Sequence, residues 1–245
     1  MSAERYIQVA VGALERLVQS QAEAVERAAG LMTDTIVQGR SLFAFGASHS
    51  FMIAEELVYR TGGLMVVNPI YPHGMNLFVR PMTLTSRLER IEGLGAELFQ
   101  ASGAQSGDLA LIASTSGRNA VAIDMAIAAR SCGVSTIGVT SVSYTQSVTS
   151  RHSTGTRLID HCDVVLDNGA PAGDAAVAIE GFAQPVGPLS TVLGCALVNA
   201  LVCSVASNLT ARGVEPPIFM SANLDGGDEY NNRMLARYKD RIHYI

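Results

Sequence analysis

Continuous apolar runs alternate with helical patterns along most of the chain. The runs LFAF, MVV, LALIA and TIGV place apolar residues at consecutive positions, which is typical of a strand covered on both faces. Between them lie segments with apolar residues at three- and four-residue steps, the period of a helix. Strands that alternate with helices at this spacing predict a parallel α/β sandwich.

The same pattern gives approximate bounds for the elements. We predict one helix over residues 4–38, ended by Gly39, and a strongly apolar helix from Pro188 to about Arg212. Strands are expected at Ser41–Phe45, in LMVVNPI, at Leu109–Ala113, in GVSTIGVT and in CDVVLDNG, further helices at Ser50–Arg60, Thr85–Ala101 and Ala120–Ser131, and loops over 71–83 and 145–160. We expect one domain over 1–245, with N-terminal helices over 1–38 and an extended, polar tail with a short last helix over 213–245.

Composition narrows the class of protein. The chain has 245 residues, 48% of them hydrophobic, so it can bury a sizeable core and is not generally disordered. The net charge of −5 gives no support to a nucleic-acid partner. The longest apolar run, Val192–Val202, is too short to span a bilayer, and the N-terminal MSAERYIQ lacks the apolar stretch of a signal peptide. We therefore expect a cytoplasmic protein with no membrane partner.

The four cysteines are scattered and form no CxxC pair. This spacing indicates neither a zinc knuckle nor a redox motif, so no metal is expected from them. Cys195 and Cys203 lie in the apolar helical stretch and are expected as buried free thiols.

Two junctions, in which a strand passes through a turn into a helix, contain the most candidate ligand-binding groups. The first is FGASHS, which ends at Ser50, and the second is STSGRN over Ser114–Asn119. The carboxyl ends of parallel strands share one edge of a sheet, and each helix N-terminus there has unpaired amides and a partial positive charge. Ser48 and Ser116 add hydroxyl donors. Such a pocket suits a phosphate monoester, although the residues alone are equally consistent with ordinary turns and helix caps.

A third segment, Gly187–Thr191, has the proline and hydroxyl residues of a helix start. Neither a Walker A motif nor GxGxxG is present, so an ordinary nucleotide-binding site has little support.

The two junctions, at this strand spacing, resemble those of the sugar isomerase (SIS) domain, the group that includes phosphoheptose isomerase and the isomerase half of glucosamine-6-phosphate synthase. STSG resembles the family's Ser-x-Ser-Gly loop, and Ser48 the serine that closes its first loop. Four stretches resemble a subgroup of SIS proteins of this length related to phosphoheptose isomerase: GASHSFMIAEE from Gly46, SRHSTG from Ser150, DNGAPAGDA from Asp167 and SANLDGGDE from Ser221.

The resemblance implies a five-stranded parallel sheet flanked by helices, a small phosphosugar as the ligand, and assembly as a homodimer or homotetramer. No cofactor is expected, and the zinc-binding pattern of some relatives is not matched, since Ile53 or Met52 stands where they have histidine. From the junctions, the helix start at Gly187–Thr191 and the resemblance together, the predicted substrate- and phosphate-binding residues are Gly46, Ser48, Ser114, Thr115, Ser116, Asn119, Ser190 and Thr191.

Isomerising an aldose phosphate moves a proton between adjacent carbons, and a carboxylate is the usual base. The segment AEEL resembles the one that carries the catalytic glutamate of phosphoheptose isomerase, which points to Glu56, with Glu55 as the alternative. The non-catalytic interpretation is that one glutamate is a solvated carboxylate and the other forms an ion pair with Arg60. The histidine that the relative carries on a late helix has no counterpart over Thr191–Leu209.

Either the acid or base partner comes from elsewhere, or the reaction is a different one. His49 lies in the first junction, and His152 in a hydroxyl-rich loop expected to overhang the same edge. We expect His73 to be a surface residue and His161 to be structural.

Three functions remain open: an aldose–ketose isomerase, a non-catalytic phosphosugar sensor, and a phosphosugar lyase, deaminase or etherase. The acidic segment 223–229 is either a solvated turn or a flap over the pocket of a neighbouring subunit. Arg87 and Arg90 are either surface charges or cations that approach an anionic substrate.

Overall fold

Five parallel strands form a central sheet in the order β2-β1-β3-β4-β5 in the computed structural model, which describes residues 1–245. The strands are β1 (Leu42–Gly46), β2 (Val67–Ile70), β3 (Leu109–Ala113), β4 (Ser135–Thr140) and β5 (Val164–Asp167). Their carboxyl ends meet at one edge, where Gly46 of β1 lies beside Ala113 of β3. The predicted α/β fold with five parallel strands is confirmed.

Nine helices flank the sheet or extend from it. They are α1 (Ser2–Ser20), α2 (Ala22–Val37), α3 (Phe51–Glu55), α4 (Thr83–Leu88), α5 (Leu94–Ala101), α6 (Ala120–Ser131), α7 (Val142–Ser147), α8 (Ser190–Ala211) and α9 (Gly227–Tyr238). Single turns of 3-10 helix occur at Ser48–Ser50, Leu158–His161 and Lys239–Arg241.

Alternating strand residues supply two separate cores, which makes the molecule a three-layer sandwich. Leu42 and Ala44 of β1 point to a core shared with α1, α2 and α8. Phe43 and Phe45 point to the opposite core, which includes residues of α5 and α6. Both faces are covered, as continuous apolar strands require.

Helix α8 is long and apolar enough to cross a membrane by length and composition alone. In this fold it packs against α2 and α3, and Leu193, Leu197, Leu201 and Val205 are buried. The apolar helix predicted after Pro188 is therefore confirmed, as a helix of the packed core.

Several predicted bounds are wrong for identifiable reasons. The helix predicted over 4–38 is two helices, because the Gln21 side chain accepts a hydrogen bond from the backbone of Asp167 and fixes the chain beside β5. The helix predicted over Thr85–Ala101 divides at Gly93, whose φ is +86° and whose amide donates to Asp124. The helix predicted to reach Arg60 ends at Glu55.

The segment before α8 forms an antiparallel hairpin that the sequence analysis missed. Its strands are β6 (Ala175–Ile179) and β7 (Phe182–Pro188), joined by a turn in which Gly181 has φ +75°. Most of β7 is exposed. A glycine between two short apolar segments was the available indication.

The polar tail is anchored at both ends, and the short last helix predicted for it is confirmed as α9. Asn68 of β2 donates its amide hydrogen to the Arg241 carbonyl oxygen and accepts from the His243 amide, so the chain end covers the edge strand. In the acidic segment 223–229, a Cβ on Gly227 would lie 2.3 Å from the Ser221 carbonyl oxygen. Residues 223–226 precede α9 and residues 227–229 begin it, and a role as a flap over a neighbouring subunit stays a prediction.

All four cysteines are free. Burial of Cys203 was predicted wrongly: it is exposed, because no packed element covers its face of α8, and Cys195 is half-buried. The division into a single domain stays a prediction.

Candidate functional site

A polar cavity of about 220 Å³ opens at the carboxyl edge of the sheet, and both predicted junctions line it. The predicted site residues that line it are Ser48, His49, Ser114, Thr115, Ser116, Asn119 and Ser190. Ala47, Ser50, Glu89, Tyr144, Gly173 and Asp174 complete the wall. Gly46, Thr191, Glu55, Glu56 and His152 lie outside this lining set.

The second junction, Ser114–Asn119, joins β3 to α6 through a fixed turn. The Ser114 amide donates to the Val139 carbonyl oxygen of β4, and Gly117 has φ +57°, where glycine is favoured. A Cβ on Gly117 would also lie 2.8 Å from the Thr145 hydroxyl oxygen. The turn is therefore held by its neighbours on both sides.

Four backbone amides of this junction have no acceptor within the chain: those of Thr115, Ser116, Arg118 and Asn119. They precede the N-terminus of α6, a 12-residue helix whose dipole favours negative charge there. Asn119 does not cap α6 with its own side chain. Free amides at such a helix start form a cradle for an anion.

The hydroxyl groups around the cavity are also unengaged. Ser48, Ser114, Thr115 and Ser116 make no side-chain hydrogen bond within the chain, and all four residues are half-buried. Each hydroxyl can donate one hydrogen bond to an oxygen in the cavity.

The first junction, Gly46–Ser50, has a different construction. A Cβ on Gly46 would lie 2.1 Å from the Ser50 carbonyl oxygen, so only glycine fits. Ser48 adopts φ +53°, and its amide is used in a 2.8 Å bond to the Met75 carbonyl oxygen. One 3-10 turn and the five-residue α3 follow. Of its amides, those of Ser48 and Ser50 have acceptors within the chain and those of Ala47 and His49 have none, so this junction offers fewer free amides than the second.

Glu89, which the sequence analysis did not single out, contributes a carboxylate to the cavity. Its Oε2 accepts a 2.6 Å hydrogen bond from Nδ2 of Asn119, and its backbone oxygen accepts from the Val121 amide of α6. Burial raises the pKa of Glu89 above its usual 4.5, against the opposing effects of the Asn119 hydrogen bond, Arg151 and Arg90. No sequence motif marks this residue, because only the contact of the α4 end with α6 brings it to the site.

Asp174 is the other carboxylate of the cavity and is occupied by the start of α8. Its Oδ1 accepts from the amides of Leu189 and Ser190, and its Oδ2 from the Ser190 hydroxyl at 2.6 Å. The predicted ligand residue Ser190 therefore already donates its hydroxyl hydrogen to Asp174. The stretch that contains Asp174 was noted in the sequence, but the residue itself was not.

The predicted glutamates lie beyond the cavity wall. Glu56 accepts a 2.7 Å hydrogen bond from Asn199 of α8 and pairs with Arg60 at 3.1 Å, which is the ion pair of the non-catalytic interpretation. Glu55 is exposed and lies near Tyr71, whose pKa is raised by burial first and by Glu55 second.

The histidines have separate surroundings. His152 bonds through Nε2 to Asp124 at 2.9 Å and through Nδ1 to Thr154 at 2.8 Å, so it holds its loop against α6. His161 contacts the Thr156 hydroxyl, and burial lowers the pKa of its imidazole. His49 is exposed at the cavity. No three His, Cys, Asp or Glu side chains are grouped to hold a metal ion.

Comparison with known proteins agrees with this architecture. The SIS domain family model matches residues 5–141. A UPF0309 protein of Shouchella clausii is 46% identical over 242 residues, which cover 99% of this chain and 98% of the relative. A UPF0309 protein of Streptomyces coelicolor is 43% identical over 243 residues, covering 99% and 97%.

Two solved structures share the fold at low sequence identity. Phosphoheptose isomerase of Neisseria gonorrhoeae superposes with a TM-score of 0.56 at 17% identity, covering 84% of this chain and 97% of that one. The NanR protein of Vibrio vulnificus, complexed with ManNAc-6P, gives 0.55 at 16% identity, covering 96% and 69%. By its family match and its full-length relatives, the chain belongs to the SIS domain family and, within it, to the UPF0309 proteins.

Proposed function

We propose that this chain binds a phosphosugar in the cavity between the two junctions and interconverts aldose and ketose forms of it. The observation that carries the proposal is the group of four free amides before α6, next to unengaged hydroxyls. Amides at a helix N-terminus and hydroxyl donors together suit the oxygens of a phosphate monoester. One structural neighbour is a phosphoheptose isomerase and the other is a complex with the sugar phosphate ManNAc-6P, and both support the same ligand class.

We assign the proton transfer to Glu89, because it lines the cavity and burial raises its pKa above the ordinary value of a glutamate. The carboxylate removes the proton from the carbon beside the carbonyl group and leaves an enediolate. The resulting carboxylic acid returns the proton to the neighbouring carbon, while a hydroxyl proton moves between the two oxygens. A general base of this kind contributes about 10²–10⁴-fold to the rate.

Glu56 is the competing assignment that the sequence resemblance favours, so it supplies the matched variant. Phosphorylated aldoses and ketoses are incubated with the full chain, and products are identified by NMR. We expect Glu89→Gln to lower kcat by about 10²–10⁴-fold and Glu56→Gln by less than about threefold. The reverse ranking would assign the base to Glu56. Absence of turnover with every substrate would refute the isomerase assignment.

A non-catalytic sensor is the second candidate, favoured by one observation. The catalytic histidine expected from phosphoheptose isomerase has no counterpart on α8, which leaves His49 as the only histidine that lines the cavity. Thermal shifts with phosphosugars but no product would identify a sensor. A product with a broken C–O or C–N bond would instead identify a lyase, etherase or deaminase.

Assembly as a homodimer or homotetramer remains a prediction, as do the cytoplasmic location and the absence of nucleic-acid and membrane partners. The face available on α1 includes the exposed Ile7, Val11 and Val18. An apolar groove of about 400 Å³ lies beside it, between α1, α2 and α8. Light scattering would show a mass of two or four chains if the prediction holds, and a mass of one chain if it does not.

A further inference from the structure

Three arginines gather beside the cavity, at the wall formed by Asn119 and Glu89. Arg151 donates a 2.9 Å hydrogen bond to Oδ1 of Asn119, and its backbone amide donates to the Arg118 carbonyl oxygen at 2.9 Å. Arg90 directly follows Glu89 in the chain. We call Arg90, Arg118 and Arg151 the arginine cluster.

The arginine cluster makes no ion pair, in contrast to four other arginines of the chain. Arg60 pairs with Glu56, Arg212 with Asp34, and Arg233 and Arg237 with Glu215. No carboxylate oxygen lies within 4.0 Å of a nitrogen of Arg90, Arg118 or Arg151. The cluster therefore holds positive charge without a direct counterion.

The groups facing the cluster do not neutralise it. Glu89, whose pKa is raised by burial, is one carboxylate against three guanidinium groups. Desolvation lowers the pKa of Arg151, and the charges of Arg118 and Arg90 lower it further. Arg118 donates from Nη2 to the Thr149 hydroxyl, whereas its buried Nε has no partner. Like charges that lower the pKa of a neighbouring cation favour an added anion.

We propose that the arginine cluster is a second anion subsite, so that the ligand is a phosphosugar with a second acidic group, either a carboxylate or a second phosphate. The inference rests on the proposed function, because the first phosphate is assigned to the amides before α6. Guanidinium groups suit this task, since their planar donors match both kinds of oxyanion. Asn119 lies between the two anion positions and contacts Arg151 directly.

Calorimetric titration of the full chain tests the subsite with glucose 6-phosphate, 6-phosphogluconate and glucose 1,6-bisphosphate. We expect at least one of the two doubly anionic probes to bind about tenfold or more tightly than glucose 6-phosphate, the effect of one charge-assisted contact. Arg151→Gln should reduce that preference to less than about threefold, while Arg151→Lys keeps part of it. The control Arg60→Gln, at an exposed ion pair away from the cavity, should leave it unchanged.

The outcomes separate the subsite from the proposed function. Equal binding of all three probes refutes the subsite and leaves the phosphosugar cavity standing. The subsite is also refuted if Arg151→Gln weakens all three probes by the same factor, which would indicate a general field effect. Failure of every probe to bind refutes both. The probe that gains affinity tells a carboxylate from a second phosphate.

Discussion

The two junctions at the carboxyl edge look alike in sequence but have different roles in the structure. Both follow neighbouring parallel strands, and both contain small residues and hydroxyl groups. The second leads into a 12-residue helix and leaves four amides free, whereas the first leads into a five-residue helix and leaves two free, those of Ala47 and His49. Whether the backbone of such a turn can hold an anion depends on the length of the helix that follows and on how many of its amides are not already hydrogen-bonded within the chain.

The largest effect is expected from the packing of the first junction. Gly46→Ala would place a Cβ 2.1 Å from the Ser50 carbonyl oxygen, and the backbone must shift to relieve the overlap. We expect a loss of about 1–3 kcal/mol in the free energy of unfolding, or more. Urea unfolding measures it.

Gly30→Ala is the matched control for that change. Gly30 lies within α2, and a Cβ there meets nothing within 4 Å, so the variant should equal or exceed the wild type in stability. If Gly46→Ala unfolds like the wild type, the close approach at the first junction does not constrain the chain as described.

The next effect compares the junctions as phosphate ligands. Ser116→Ala should weaken binding of inorganic phosphate about tenfold, because its hydroxyl lies among the free amides. Ser48→Ala should weaken it about threefold or less, since the Ser48 amide is already bonded to Met75 and the helix after its junction has only five residues. Calorimetric dissociation constants decide between them, and a stronger effect of Ser48→Ala would invert the comparison.

A smaller effect concerns the pH dependence of turnover. The base acts only as the carboxylate, so activity is lost as the pH falls through the raised pKa of Glu89. The acid limb of the activity profile therefore lies above the ordinary glutamate value of 4.5. Asn119→Ala removes a hydrogen bond that lowers this pKa, and the limb of kcat/KM should move to still higher pH.

Asn199→Ala is the control for this shift, because Asn199 bonds Glu56 rather than Glu89. Its acid limb should match the wild type. An acid limb that moves in Asn199→Ala and stays in Asn119→Ala would transfer the catalytic role to the helix after the first junction.

The smallest effect is expected at the Arg60–Glu56 pair, beyond the first junction. The Arg60 side chain is 52% exposed, and exposed ion pairs contribute little because water and salt screen them. Arg60→Ala should change the free energy of unfolding by about 1 kcal/mol or less. A loss above about 2 kcal/mol would show that this pair organises α3 and α8.

The second junction shows how far the sequence alone could go. Leu109–Ala113 and Ala120–Ser131 were predicted with the bounds observed, because a continuous apolar run ends there in a Ser/Gly turn and a helical pattern follows. The convergence of both junctions also follows from sequence, since parallel strand ends share an edge.

The remaining parts of the site depend on contacts between distant segments. Glu89 reaches the cavity because its backbone is bonded to Val121, and no local pattern encodes that contact. His152 was expected over the same edge but is bound to Asp124 of α6. The break at Gln21 likewise arises from its contact with Asp167, which the helical period does not reveal.

The central claim is that the amides before α6 hold the phosphate, and they can be observed directly. Amide ¹H–¹⁵N NMR spectra of the labelled full chain are recorded while glucose 6-phosphate is added. We predict the largest shift changes at Thr115, Ser116, Arg118 and Asn119, with smaller changes at Ser48. Saturating changes confined to residues outside the second junction, or no change at these four amides, would contradict the account.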